Sequence, residues 1–145
     1  MSEKWNSASI CIVSDSMTPQ EIGNFLGLKE TRSYEKGEPI SRRNPGGPKR
    51  TENIWSLKSG VDESISLEFH LEKLAKLIEM KEEKFSFLLS KCQIEIFCGF
   101  SSDSGQGGFV LKSDLLKKLT KIPIDIVLDL YPPEADDDDD DDGKG

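Results

Sequence analysis

ASICIVSDSMTPQEIGNFLGL, running from Ala8 to Leu28, decides how the rest of the chain is read. Its first six residues, Ala8 to Val13, form an apolar run that predicts a strand. Both faces of that run are fairly apolar, so the strand is expected at the centre of a sheet. The second half predicts a short helix with both ends marked. Thr18 is an N-cap residue, and Pro19 follows at the first helical position, where its missing N–H costs nothing. Glu21, three residues after Thr18, completes a capping box, and Met17 and Ile22 are spaced as a hydrophobic staple. Ile22, Phe25 and Leu26 make one apolar face, and Gly27 suits a left-handed C-cap.

On the C-terminal side, Thr31 to Gly37 predicts a second strand. Residues 38–53 then read as a long loop in which Pro45, Gly46, Gly47 and Pro48 exclude regular structure. Asn53 to Lys58 returns as a strand carrying Ile54, Trp55 and Leu57. Gly60 to Lys91 is expected to be helical, because Leu67, Leu71, Leu74, Ala75 and Ile78 fit one stripe; Asp62 or Ser64 would cap it. Cys92 to Phe100 reads as a strand, Ser101 to Gly107 as a polar turn, and Gly108 to Leu111 as a short strand. Ser113 is expected to cap a helix through Leu119. Ile122 to Tyr131 is the last strand, ended by Pro132 and Pro133. The order predicts an α+β fold with a mostly antiparallel sheet and helices packed on one face. A strand, a capped helix and a further strand occur near both ends, so a ferredoxin-like or doubled ferredoxin-like arrangement is expected.

The 145 residues suit one domain over residues 1–132, with a disordered acidic tail over 133–145. The tail holds Asp136, Asp137, Asp138, Asp139, Asp140, Asp141 and Asp142 in an unbroken run. Taking those seven charges from the net −8 leaves −1, so the acidity belongs to the tail and not to the fold. A solubilising role and an electrostatic lure for a basic partner both fit such a run. A nearly neutral domain lacks the basic face of a nucleic-acid binder, so no nucleic acid is expected. No apolar stretch approaches the length of a membrane span, and residues 1–7 lack the apolar core of a secretory signal. Cys11, Cys92 and Cys98 are odd in number and not spaced as C-x-x-C, which points to free thiols in a reducing cytoplasm.

The templates of enzyme chemistry do not match. His70 is the single histidine, and it has no second histidine or cysteine near it in sequence; it reads as an exposed or half-buried helical residue. There is no nucleophile elbow and no Walker loop, and the glycines of residues 105–108 read as a hairpin turn. No catalytic residue, metal or cofactor is therefore expected. The binding candidates cluster instead between Arg32 and Trp55. Arg32, Lys36, Arg42, Arg43, Lys49 and Arg50 would suit phosphate or carboxylate groups, since a guanidinium fork binds two oxygens at once. Tyr34 and Trp55 beside them would stack or anchor, against the alternative of a solvated loop with Trp55 in the core.

The chain resembles the bacterial family known as domain of unknown function 4279. The resemblance is carried by Thr18-Pro19-Gln20-Glu21-Ile22, Leu26-Gly27-Leu28 and Lys36-Gly37-Glu38 before Trp55-Ser56-Leu57. It continues in Ser113-Asp114-Leu115 and the strand Ile124 to Tyr131. It spans Ala8 to Tyr131 and implies a compact bacterial α+β domain; some such domains look like immunity proteins encoded beside toxins. The expected function is a non-enzymatic protein-binding domain, an immunity protein for a basic toxin being its concrete form. A small-molecule or nucleotide sensor using the 32–50 loop, an unrecognised enzyme, and a homodimer along a sheet edge are the alternatives. Replacing Arg42, Arg43, Lys49 and Arg50 with alanine is expected to leave the melting temperature nearly unchanged, because exposed loop charges add little stability.

Overall fold

A computed structural model describes residues 5–101 and 109–131. The chain runs β1 (Trp5–Ser14), α1 (Pro19–Leu26), β2 (Arg32–Tyr34), β3 (Asn53–Lys58), α2 (Leu67–Met80) and α3 (Glu82–Leu89). It ends with β4 (Gln93–Ser101), α4 (Ser113–Leu119) and β5 (Asp125–Tyr131). One sheet of order β2-β3-β1-β4-β5 results. Strand β1 is central, paired antiparallel with β3 on one side and with β4 on the other.

The alternation of β1 builds the core. Ala8, Ile10 and Ile12 point to one face, together with Trp55 of β3 and Ile94, Ile96 and Cys98 of β4. All four helices contribute to the same buried cluster: Ile22 and Leu26, Leu71 and Leu74, Phe85 and Leu88, Leu115 and Leu119. The helices therefore lie on one face of the sheet, as expected.

Helix α1 forms as its sequence dictates. The Thr18 hydroxyl accepts from the Glu21 N–H at 3.1 Å, and the Glu21 carboxylate accepts from the Thr18 N–H at 3.0 Å. Gly27 closes the helix at φ 70°, a left-handed conformation that costs a residue with a Cβ.

Several expectations are corrected. The sheet is mixed, not mostly antiparallel, because β5 runs parallel to β4. The α4 connection carries the chain back to the starting end of the sheet, as a parallel pairing requires. The long helix begins at Leu67, not near Gly60, and breaks at Lys81 into α2 and α3. Residues 60–66 do not wind because their carbonyls are taken from outside: Asn6 N–H donates to Glu63 O, the Asn6 amide to Ile65 O and the His70 ring to Asp62 O. Asp62 caps no helix; its carboxylate accepts from the N–H and hydroxyl of Ser64. Residues 109–111 are not a strand, and α4 is capped by Lys112, with Ser113 its first residue. The polar turn of 101–107 beyond Ser101, the glycines of 105–108, the Pro132-Pro133 stop and the acidic tail lie outside the described residues.

Thr18→Ala removes half of the capping box. It should cost about 1 kcal/mol in urea unfolding, with the native spectrum unchanged.

Candidate functional site

The odd residues of β1 face away from the helices, and no element among the described residues crosses that face. Cross-strand register lines the face in rows. Arg32, Ser56, Cys11, Glu95 and Asp125 stand side by side across all five strands. The next row holds Lys58, Ser9, Phe97 and Val127, and the one after it Ser7, Gly99 and Asp129. Ser56, Cys11, Ser9, Ser7 and Gly99 keep the centre of the face low between larger side chains, and the face is a trough. Its volume is about 590 Å³, within the roughly 300–1,000 Å³ of small-molecule sites.

Each margin has its own construction. On the β2–β3 side the Arg50 guanidinium lies 3.7 Å from the centre of the Tyr34 ring, a cation–π stack that fixes its plane. Arg50 Nε is buried without a hydrogen-bond partner. Among the described residues the ion pairs are Lys29–Glu30, Lys118–Glu72 and Lys121–Glu79, so Arg32, Arg50 and Lys58 face the trough with no carboxylate partner there. At one end Trp5 and Tyr131 stack with centroids 5.0 Å apart. They sit over Gly99, where a Cβ would come within 3.3 Å of both rings. Burial, and then the Asp129 carboxylate, pushes the Tyr131 phenol up. Cys11 occupies the middle of the floor, its Sγ 3.6 Å from Ser56 Oγ. Burial pushes its thiol up, the Ser56 hydroxyl works against that, and the Glu95 charge adds to it. Cys11 is therefore a neutral thiol at neutral pH.

Residues 59–65 form the end wall, with Glu63 on the trough. The fastening of this wall corrects the expectation for His70, which is buried, not exposed or half-buried. Carbonyl oxygens only accept, so His70 Nε2 carries the hydrogen and donates to Asp62 O at 3.1 Å and Ile65 O at 3.2 Å. Nδ1 bonds the Ser59 hydroxyl at 2.8 Å, and that oxygen also accepts from the Val61 N–H. The serine–histidine pair is thus engaged in holding the wall. A hollow of about 390 Å³ beside it shares Ser7, Lys58 and Glu63 with the trough.

Of the residues expected to bind, Arg32, Tyr34 and Arg50 meet at the trough margin. Lys36, Arg42, Arg43 and Lys49 are exposed and lie outside it. The loop that carries most of them contains no helix or strand, as expected, but its two limbs are tied to each other by backbone bonds. Gly37 N–H donates to Arg50 O, Arg50 N–H to Glu38 O and Ile40 N–H to Pro48 O, and Pro39 bridges Lys49. Prolines lack donors but keep their carbonyls, and Pro48 enters the hairpin through its own. Trp55 offers no stacking surface: it is fully buried in the core, near Gly23 of α1. The aspartate run lies outside the described residues. Trp5, Ser7, Ser9, Cys11, Glu95 and Phe97 were not anticipated, and the burial of Ala8, Ile10 and Ile12 with Ser7, Ser9 and Cys11 on the other face corrects the reading of this strand as apolar on both faces.

Among the described residues no three metal-ligating side chains converge, and no helix is long and apolar enough to cross a membrane. A family described as Domain of unknown function (DUF4279) matches residues 3–133. No curated protein and no solved structure matches the chain.

His70→Ala orphans a hydroxyl and two carbonyls and leaves a cavity, so unfolding in urea should show a loss of about 3 kcal/mol. Arg42→Ala and Arg43→Ala should stay within about 0.5 kcal/mol of wild type. Arg50→Ala removes the stack on Tyr34 and should cost more than either, which corrects the expectation that the four-alanine loop variant keeps its melting temperature. Thiol labelling by iodoacetamide gives a second check, because the thiolate is the nucleophile. Burial pushes Cys98 up to about 11 and raises Cys92 as it does Cys11. Cys11 and Cys92 should label slowly at pH 7 and faster above pH 9, and Cys98 only on unfolding.

Proposed function

The chain belongs to the Domain of unknown function (DUF4279) family, a name that carries no activity, and we propose that it is a non-enzymatic binding domain. Its trough holds a ligand of small-molecule size through an anionic group. One observation carries this reading: Arg50 is pinned on Tyr34 at the margin of a ligand-sized hollow, with no carboxylate partner among the described residues. A guanidinium held in a fixed plane loses little freedom when it grips two oxygens. This develops the sensor reading but moves the site from the hairpin to the sheet face.

A protein partner is the second reading. It is supported by the edge strand β5, where Leu128 and Leu130 are 52% and 54% exposed. Unpaired strand edges with apolar side chains invite a further strand from a partner or from a second copy. The immunity reading, with a basic toxin as partner, rests on the acidic tail and gains no support from the trough. We also read β2-β3-β1-β4 as a ferredoxin-like unit extended by α4 and β5, which its order and antiparallel neighbours support. Three free cysteines support a cytoplasmic setting.

The test is a thermal-shift screen with carboxylates, phosphates and matched neutral compounds, since a ligand of the native state stabilises it by mass action. Wild type should shift with one or more anions. Arg50→Gln should lose most of that shift, and Ser9→Trp, which fills the floor, all of it while still melting cooperatively. An anion that stabilises Ser9→Trp as well as wild type would remove the trough as the site.

A further inference from the structure

Charge is laid across the trough in one direction. The cations of its floor and margin, Arg32, Arg50 and Lys58, stand on the β2–β3 side. The carboxylates in the rows, Glu95, Asp125 and Asp129, stand on β4 and β5. Glu63, on the end wall, is the one departure from this division. Arg32 and Glu95 share a row, with only Ser56 and Cys11 between them.

The two ends are too far apart to neutralise each other. Three strand spacings of about 4.8 Å separate β2 from β4, or about 14 Å between backbones. An extended tripeptide, about 10 Å long at about 3.4 Å per residue, spans that distance together with the reach of an arginine and a glutamate side chain. No Arg32–Glu95 ion pair forms across it.

We propose that the trough binds a short peptide-like zwitterion, its carboxylate on Arg32 and Arg50, its ammonium on Glu95, and its backbone over Ser56 and Cys11. This deepens the reading of the trough as an anion-gripping site and rests on it. A lone carboxylate satisfies the arginines but leaves Glu95 unpaired at the edge of a partly desolvated hollow. A dicarboxylate or a polyphosphate places a second negative charge toward Glu95, Asp125 and Asp129, which repel it. An elongated zwitterion meets both ends, and the hydroxyls of Ser9 and Ser56 are at hand for its peptide groups.

The experiment is isothermal titration of the full chain with triglycine, acetyl-triglycine and triglycine amide. The first capped form lacks the ammonium and the second lacks the carboxylate. Triglycine should bind about tenfold more tightly than either, the worth of one charge-assisted contact. Glu95→Gln should erase the preference for triglycine over acetyl-triglycine while binding of the acetylated peptide persists. Arg50→Gln should weaken both. Circular dichroism and melting temperature confirm that each variant is folded. If wild type binds acetyl-triglycine as tightly as triglycine, or Glu95→Gln keeps the preference, the zwitterion is wrong and the anion site stands. If neither peptide binds while other carboxylates do, the zwitterion again fails alone. If no anion binds at all, both fall together.

Discussion

Alternation along β1 is the constraint on which the rest of the structure depends. Successive side chains of a strand point to opposite faces. Ala8, Ile10 and Ile12 therefore go under the helices, and Ser7, Ser9 and Cys11 go to the other face. A register slip of one residue would exchange the two sets, exposing two isoleucines and burying two serines. Because β1 is paired on both sides, its register passes to β3 and β4, and through them to β2 and β5. The pattern that builds the core thus also builds the trough, and stability and binding are tied to the same strand.

The remaining features stand on that frame. The small floor would be a shallow dip without walls. Arg50 and Tyr34 raise one margin by stacking, and Trp5 and Tyr131 raise one end over Gly99. His70 and Asn6 hold the 59–65 wall by taking carbonyls that would otherwise turn a helix. Helix α2 starts late for the same reason that the wall exists. The hairpin between β2 and β3 delivers Arg50 back to the sheet and leaves Arg42 and Arg43 in solvent.

What could be read from residues alone follows the range of the interactions involved. Helix α1 was legible because its cap, its stop and its apolar face all lie within about a dozen residues. The central place of β1 was legible from its apolar run. The onset of α2 was not, because Asn6, nearly sixty residues earlier, decides where the chain begins to wind. The parallel pairing of β5 depends on how α4 crosses over, which no local pattern records. At the site, Arg32, Tyr34 and Arg50 were legible as a basic cluster with an aromatic. For Trp55 the sequence left both a stacking role and a core position open, and the core position is the one found, because packing against α1 and not local sequence decides it. Glu95 and Cys11 were illegible as a site, since only the pairing of β1 with β4 sets them side by side.

Among the described residues one face of the sheet is uncovered, and ligand binding there requires that it be open in solution. Ser9→Cys in a chain that also carries Cys11→Ser and Cys92→Ser tests it most directly, with labelling by a bulky maleimide under native conditions. With the face open, position 9 is modified completely without unfolding, while buried Cys98 stays protected. A position 9 that labels no faster than Cys98 would show the face to be covered and the trough to be no binding site.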